Sequence, residues 1–180
     1  MKIALNRDGT AKGTLTLTFE KAERQVMEAV FSASKDLYAV DIEELPEVLQ
    51  RHWRGRLFSG RPASIPGADA ASDDLAEARL GWRSERLVML EKWLAPGAPF
   101  GEGGNGVLTL PPDEIDLFFS IINDRRLSLA ALYLVTEDLM EADIEAIQPQ
   151  ELQQAVWEIH LLAFVMENCL QCIQEWKEEL

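Results

Sequence analysis

Between Thr14 and Phe19 the chain alternates strictly: Leu15, Leu17 and Phe19 point one way, Thr14, Thr16 and Thr18 the other. That is the period of a half-buried strand. The preceding "KIALN" predicts a partner strand, with Asp8-Gly9 supplying turn chemistry in a loop too long for a tight two-residue hairpin. From about 20 to 38 the period lengthens to that of a helix, placing Val26, Met27, Val30, Phe31, Leu37 and Tyr38 on one face. A short helix is expected around 43–52, with Pro46 in its first turn. A loop rich in Gly, Pro, Ser and Ala follows near 55–72, then a helix over about 73–94 with Ser72 as N-cap. A second loop near 95–106 leads to a short strand at 107–110. Pro111-Pro112 starts a central helix that runs to about 135. Thr136 caps a short acidic helix over 137–147, and Pro149 opens a last helix that continues nearly to the C-terminus.

These elements predict an α+β fold, mainly helical. A helical bundle packs beside a small antiparallel sheet formed by the N-terminal hairpin and one short later strand. Neither loop leaves a flank with an adequate core of its own, so 1–180 reads as a single domain. The last helix is apolar over a wide arc, with Gln153, His160, Glu167 and Gln171 on a narrow polar stripe. Such a helix is expected to be surrounded by other elements.

The central helix carries "FFSIINDRRLSLAALYLV", an apolar run broken by Asn123, Asp124, Arg125 and Arg126. At about 100° per residue, Ile115, Phe118, Phe119, Ile122, Leu129 and Tyr133 form one stripe, and Arg126 falls inside it. Asp124 is the residue most clearly turned away. A charge on the apolar side needs a partner. The expectation is a structural polar network of Asn123, Arg126, His160 and Glu167, with Arg126 clamped to Glu167 and Asp116 or Glu158 as alternatives.

The segment "INDRRLSLAALYLVTED" resembles "LNDLRLALGTRLGI" of an uncharacterised bacterial family, domain of unknown function number two thousand and seventeen. "RDGTAKGTLTLTFEKAERQVM" is similar to that family's dG-x-L-x-L-x-x-x-E opening. Asn123, Asp124, Arg126, Leu127 and Leu129 match the motif, while Arg125 stands in place of a leucine and Ala130 in place of a glycine. The resemblance covers both ends of the chain. It implies no defined activity. Actinobacterial members are often encoded beside an adaptor of the regulated-protease system, and some are labelled transcriptional regulators, so a regulatory setting is what it implies.

Charge narrows the partners. Of 180 residues, 17 are Lys or Arg and 31 Asp or Glu, a net charge of −14. After Arg126 the one basic side chain is Lys177. An acidic surface repels phosphate backbones, so nucleic acid is an unfavourable partner and another protein the expected one. "MKIALNRDG" turns polar before an apolar signal region forms, and the longest fully apolar run, "LLAFVM", is too short to span a bilayer. A cytoplasmic protein with no membrane association is expected.

Four motifs invite chemistry. Gly101, Gly103 and Gly106 match G-x-G-x-x-G, but a helix precedes them and a strand follows, the reverse of a dinucleotide site, so a flexible connector is expected. Cys169 and Cys172 form C-x-x-C late in a helix beside Glu167 and Glu175, which predicts neutral, buried, reduced thiols and no metal. "EDLMEADIE" lacks the glycine and oxygen spacing of a calcium loop. The one basic cluster is "RHWRGRLFSGR". Its Arg51, Trp53, Arg54, Arg56, Phe58 and Arg61 make the candidate binding surface, against the alternative that these arginines pair internally with the excess carboxylates.

No catalytic set, metal site or cofactor motif emerges. The expected function is a non-catalytic regulatory or protein-interaction module. The first alternative is a small-molecule-binding protein or enzyme with a pocket around Arg126, Asn123 and His160. The second is a transcriptional regulator.

Overall fold

The alternating segments do pair. In the computed structural model β1 (Lys2–Asn6), β2 (Thr14–Phe19) and β3 (Gly106–Leu110) form an antiparallel sheet in the order β1-β2-β3. Leu17 lies between Ile3 and Leu108, and Leu15 between Leu5 and Leu110, so one face is continuously apolar. Thr16 lies between Ala4 and Thr109 on the opposite face. The structure describes residues 1–6, 13–58, 68–101 and 103–178, and only the backbone of 54–58, 68–80 and 176–178.

The helices are α1 (Lys21–Ala39), α2 (Glu47–Phe58), α3 (Ala68–Leu94), α4 (Pro112–Leu132), α5 (Glu137–Glu141) and α6 (Gln150–Glu178), of which α1, α4 and α6 pack against the sheet. The protein is thus mainly helical α+β, as its periodicities predict. α1 begins in a capping box, with Glu20 and Glu23 each accepting a backbone N–H from the other's end of the turn. Thr136 accepts the Leu139 N–H at the start of α5.

The core is built around Phe31 of α1. Its ring meets Phe100 at 4.9 Å, Trp93 at 5.3 Å and Phe118 at 6.4 Å, at tilted or edge-on angles that suit the ring quadrupoles. Leu15, Leu17, Phe19, Leu90, Leu108, Leu110, Ile121 and Leu162 complete the same buried cluster, which draws on both ends of the chain. Truncating Phe31 to Ala would empty the junction of α1, α3 and α4, at about 3–5 kcal/mol. A smaller cluster of Leu129, Ala155 and Ile159 joins α4 to α6.

Three expectations need correction. α2 runs to Phe58 and α3 begins at Ala68, one turn before the expected cap at Ser72. "ADAAS" is rich in alanine, the best helix former, so the helix extends into what composition marks as a loop. The connector at 95–106 is pinned rather than flexible. Phe100 is buried in the core, and the buried Arg24 donates to the carbonyl oxygens of Gly104 (3.0 Å) and Phe100 (3.4 Å) and to Glu28 (2.9 Å). A Cβ at Gly101 would stand 1.8 Å from the Ala95 carbonyl oxygen, so the tight turn there needs glycine. Finally, α6 is not surrounded. Leu162, Val165 and Cys169 join the main core, while Trp157, Phe164 and Leu170 face outward. Over Gln150–Glu175 this helix is long and apolar enough to cross a membrane by length and composition, with a third of its most apolar window buried inside the protein.

Candidate functional site

The polar interruption of α4 resolves into two sites, one facing α1 and α3 and the other facing α6. Toward α1 and α3, Asp124 is buried to 2% exposure. It accepts the Tyr38 hydroxyl at 2.7 Å and stands 3.1 Å from Nε of Arg86. Burial and the neighbouring Asp124 carboxylate push the Tyr38 phenol well above its ordinary range, so it is a neutral donor. Arg83, one turn before Arg86 on α3, donates to the Leu37 and Val40 carbonyl oxygens at 3.0 and 2.8 Å, which closes the C-terminal end of α1. Its guanidinium lies 5.1 Å from the Trp53 ring centroid and 5.8 Å from that of Tyr38. Desolvation lowers the Arg83 pKa, opposed by Tyr38 and Asp124.

Toward α6, Arg125 makes a two-pronged pair with Glu158, at 2.6 Å from Nε and 3.2 Å from Nη2. A clamp between the central and final helices therefore exists, but it belongs to Arg125 and not to Arg126. Arg126 is half-buried. Its Nη1 points at the Met166 sulfur at 3.6 Å, and its Nε has no hydrogen-bond partner among the described residues. Glu167, its expected partner, is exposed. Asn123 and His160 are half-buried, and no hydrogen bond or ion pair among the described residues joins them to Arg126 or to Glu167. The wheel misplaced Asp124 because it assumes one buried face. α4 is covered on several sides, with Asp113, Asp116, Leu127 and Leu132 as its exposed residues.

The basic cluster divides as well. Arg51 is exposed and pairs with Glu47 one turn earlier at 2.9 Å. Trp53, expected on the surface, is 5% exposed and packs edge-on to Tyr38 at 6.0 Å, so it is a core residue. The apolar i−4 neighbour Leu49 is buried with it, which turns this face of α2 inward. The side chains of Arg54, Arg56 and Phe58 and the whole of Arg61 lie outside the described residues. Among the described residues, the Arg–aromatic contacts use Arg83, which the sequence pattern does not single out. Its signal was Arg83 and Arg86 three apart in the apolar "GWRSERLVML".

Both cysteines are free; Cys169 is buried and Cys172 half-buried. Burial, with a lesser contribution from Cys172, pushes the Cys169 thiol up to about 12, which keeps it neutral. Among the described residues no group of His, Cys, Asp and Glu is placed to hold a metal ion.

A concave site among the described residues lies elsewhere. α1 contributes Ala22, Glu23, Val26 and Met27 to one wall of a groove, and α6 contributes Trp157, Leu161, Phe164 and Val165 to the other, with Met1 and Phe19 between them. The groove holds about 260 Å³. Trp157 is 44% exposed and Phe164 56% exposed. The one charged lining residue, Glu23, is engaged by the Met1 amine. That contact and the Glu20 backbone N–H hold its carboxyl below the usual carboxylate range. The spacing Trp157, Leu161, Phe164 is the i, i+4, i+7 pattern of one helix face, legible as apolar in the sequence but not as open. Compared with known proteins, the chain matches no family model, no curated sequence and no solved structure.

Proposed function

We propose that the protein is a non-catalytic protein-interaction module of the bacterial cytoplasm that docks another protein on the groove between α1 and α6. The observation that carries this reading is the pair of large exposed side chains, Trp157 and Phe164, on the rim of an apolar groove. Leaving such surface in water costs about 25 cal/mol per Å² and is recovered when a partner covers it. Trp and Phe are also the residue types that anchor interfaces. A small-molecule site is less well supported. Ligand pockets run from about 300 to 1,000 Å³ and present several convergent polar groups. The groove is smaller, and its one carboxylate already has the Met1 amine. A nucleic-acid regulator would draw on the Arg51 cluster, whose central aromatic, Trp53, is buried, and it would act against a net charge of −14.

The test is a photo-crosslinking side chain at Phe164 in living cells, with the same group at the exposed Val88 of α3 as control. A discrete protein adduct from Phe164, absent from Val88 and lost when Trp157 is changed to Asp, is the expected result. Identical adducts from both positions would overturn the reading.

A further inference from the structure

Resting on that interaction reading, we infer that the occupant of the groove is an amphipathic helix of a partner protein, apolar on one face and edged by lysine or arginine. The walls are helical side-chain surfaces rather than an open strand edge, which suits a helix laid into a groove and not strand addition. On α6 the anchors Trp157, Leu161 and Phe164 extend over roughly 10 Å, about two turns. On α1 the facing wall includes Ala22, where a helix backbone can approach closely, beside the apolar Val26 and Met27.

Charge selects the partner. α6 carries Glu151, Glu158, Glu167 and Glu175 before its C-terminal "WKEEL". Glu158 is neutralised by Arg125. Glu167 lies three residues after Phe164, on the exposed side, with no base against it among the described residues. Glu175, two turns further, is exposed and receives a neutral amide, Gln171, at 2.9 Å. The N-cap of α1 adds the exposed Glu20 beside the paired Glu23. The bases on these elements are Lys21, at the first turn of α1, the buried Arg24, paired with Glu28, Lys35 near the far end of α1, Lys2, on the opposite face of the sheet, and Lys177 of α6, whose side chain lies outside the described residues. Glu167 and Glu175 on the α6 rim thus have no base against them among the described residues, and a basic edge on the incoming helix would satisfy them. A second copy would bring like charges together across a self-complementary contact. An anionic bilayer would meet the same repulsion, because α6 lacks the basic border of surface-binding helices.

The experiment uses the full chain and two synthetic peptides of about 18 residues, long enough to hold a helix. Both carry the same Leu face, one flanked by lysines and the other by glutamates. Binding is read from amide and Trp indole NMR shifts. The lysine peptide should bind, shift Trp157 and Phe164 and their neighbours, and weaken as NaCl is added. Phe164→Asp should weaken it on the order of tenfold or more, and Glu167→Lys by several-fold. The inference is overturned if the glutamate peptide binds as well, or if the lysine peptide binds wild type and Phe164→Asp equally. It is also overturned if Phe164-dependent dimers form in its place, or if vesicles of anionic lipid shift the same residues while neither peptide does. A Phe164 cross-link to a partner segment that is acidic or extended would sink the basic helix and leave the interaction reading standing. Adducts from Phe164 identical to those from Val88 would remove both.

Discussion

A single carboxylate, Asp124, ties three helices together. It sits on α4, receives the Tyr38 hydroxyl from α1 and faces Arg86 from α3. A buried ion pair gains little over an apolar replacement, because both charges lose their water. Removing one member is a different matter, since the other remains buried and unpaired. Asp124→Ala is therefore expected to cost about 3–5 kcal/mol in urea denaturation, with Arg86→Met in the same chain recovering a large part. A cost below about 0.5 kcal/mol would show that the site is hydrated and not a tie. The adjacent arginines should separate cleanly. Arg125→Met strands Glu158, whose side chain is 12% exposed, at about 2 kcal/mol. Arg126→Met should be neutral or stabilising, within about 0.5 kcal/mol, because the guanidinium gives up only a thioether contact. Equal losses at 125 and 126 would contradict this assignment.

Individual helices and strands show where sequence patterns succeed. β2 was legible because a period of two has one solution once a face is buried: a slip by one residue would put Thr14, Thr16 and Thr18 in the core. The existence of each long helix followed from its apolar face. What failed were the contacts between elements. Arg24 reads as an ordinary surface residue of α1, yet its acceptors, Phe100 and Gly104, lie 76 and 80 residues away in a connector with no pattern of its own. Trp53 looked like an interaction residue because its neighbours are arginines, whereas burial is decided by the face of α2 that meets Tyr38. The open side of α6 was hidden for a related reason: its apolar pattern is the same whether a neighbour covers it or not. The end of α4 holds one local misfit. Leu134 has φ +52° and is 74% exposed, at the position after the C-cap, while Val135 N–H reaches back to the Ala130 carbonyl oxygen. Glycine takes this left-handed geometry without the side-chain clash. Leu134→Gly should raise the unfolding free energy by about 1 kcal/mol, read from the urea midpoint at unchanged slope. A destabilisation of that size would mean that the Leu134 side chain packs in solution.

At the scale of the whole molecule, the charge of −14 and the apolar groove respond to salt in opposite ways. The acids outnumber the bases 31 to 17, and beyond Arg126 the balance is one-sided. The ties within the fold, Asp124–Tyr38 and Arg125–Glu158, are buried or partly buried and therefore weakly screened. Self-repulsion among exposed carboxylates is long-range and strongly screened, since the Debye length falls from about 30 Å at 0.01 M to about 8 Å at 0.15 M. Adding NaCl over that interval should raise the melting temperature of the isolated protein, because folding brings like charges closer than they are in the unfolded chain. The same salt should weaken a basic helix in the groove, whose attraction to Glu167 and Glu175 acts at exposed positions. Potassium sulfate would confuse the comparison by strengthening apolar burial, so chloride is the salt to use. Thermal scans with and without the lysine-flanked peptide then read both effects on one sample. The free protein's melting temperature should climb with chloride while the increment from the peptide shrinks. A melting temperature that falls with added chloride would show that exposed ion pairs such as Arg51–Glu47 and Lys92–Glu114 outweigh the excess of acid. A peptide increment that grows with chloride would show that the groove selects its partner by apolar contact, with the acidic rim playing no part.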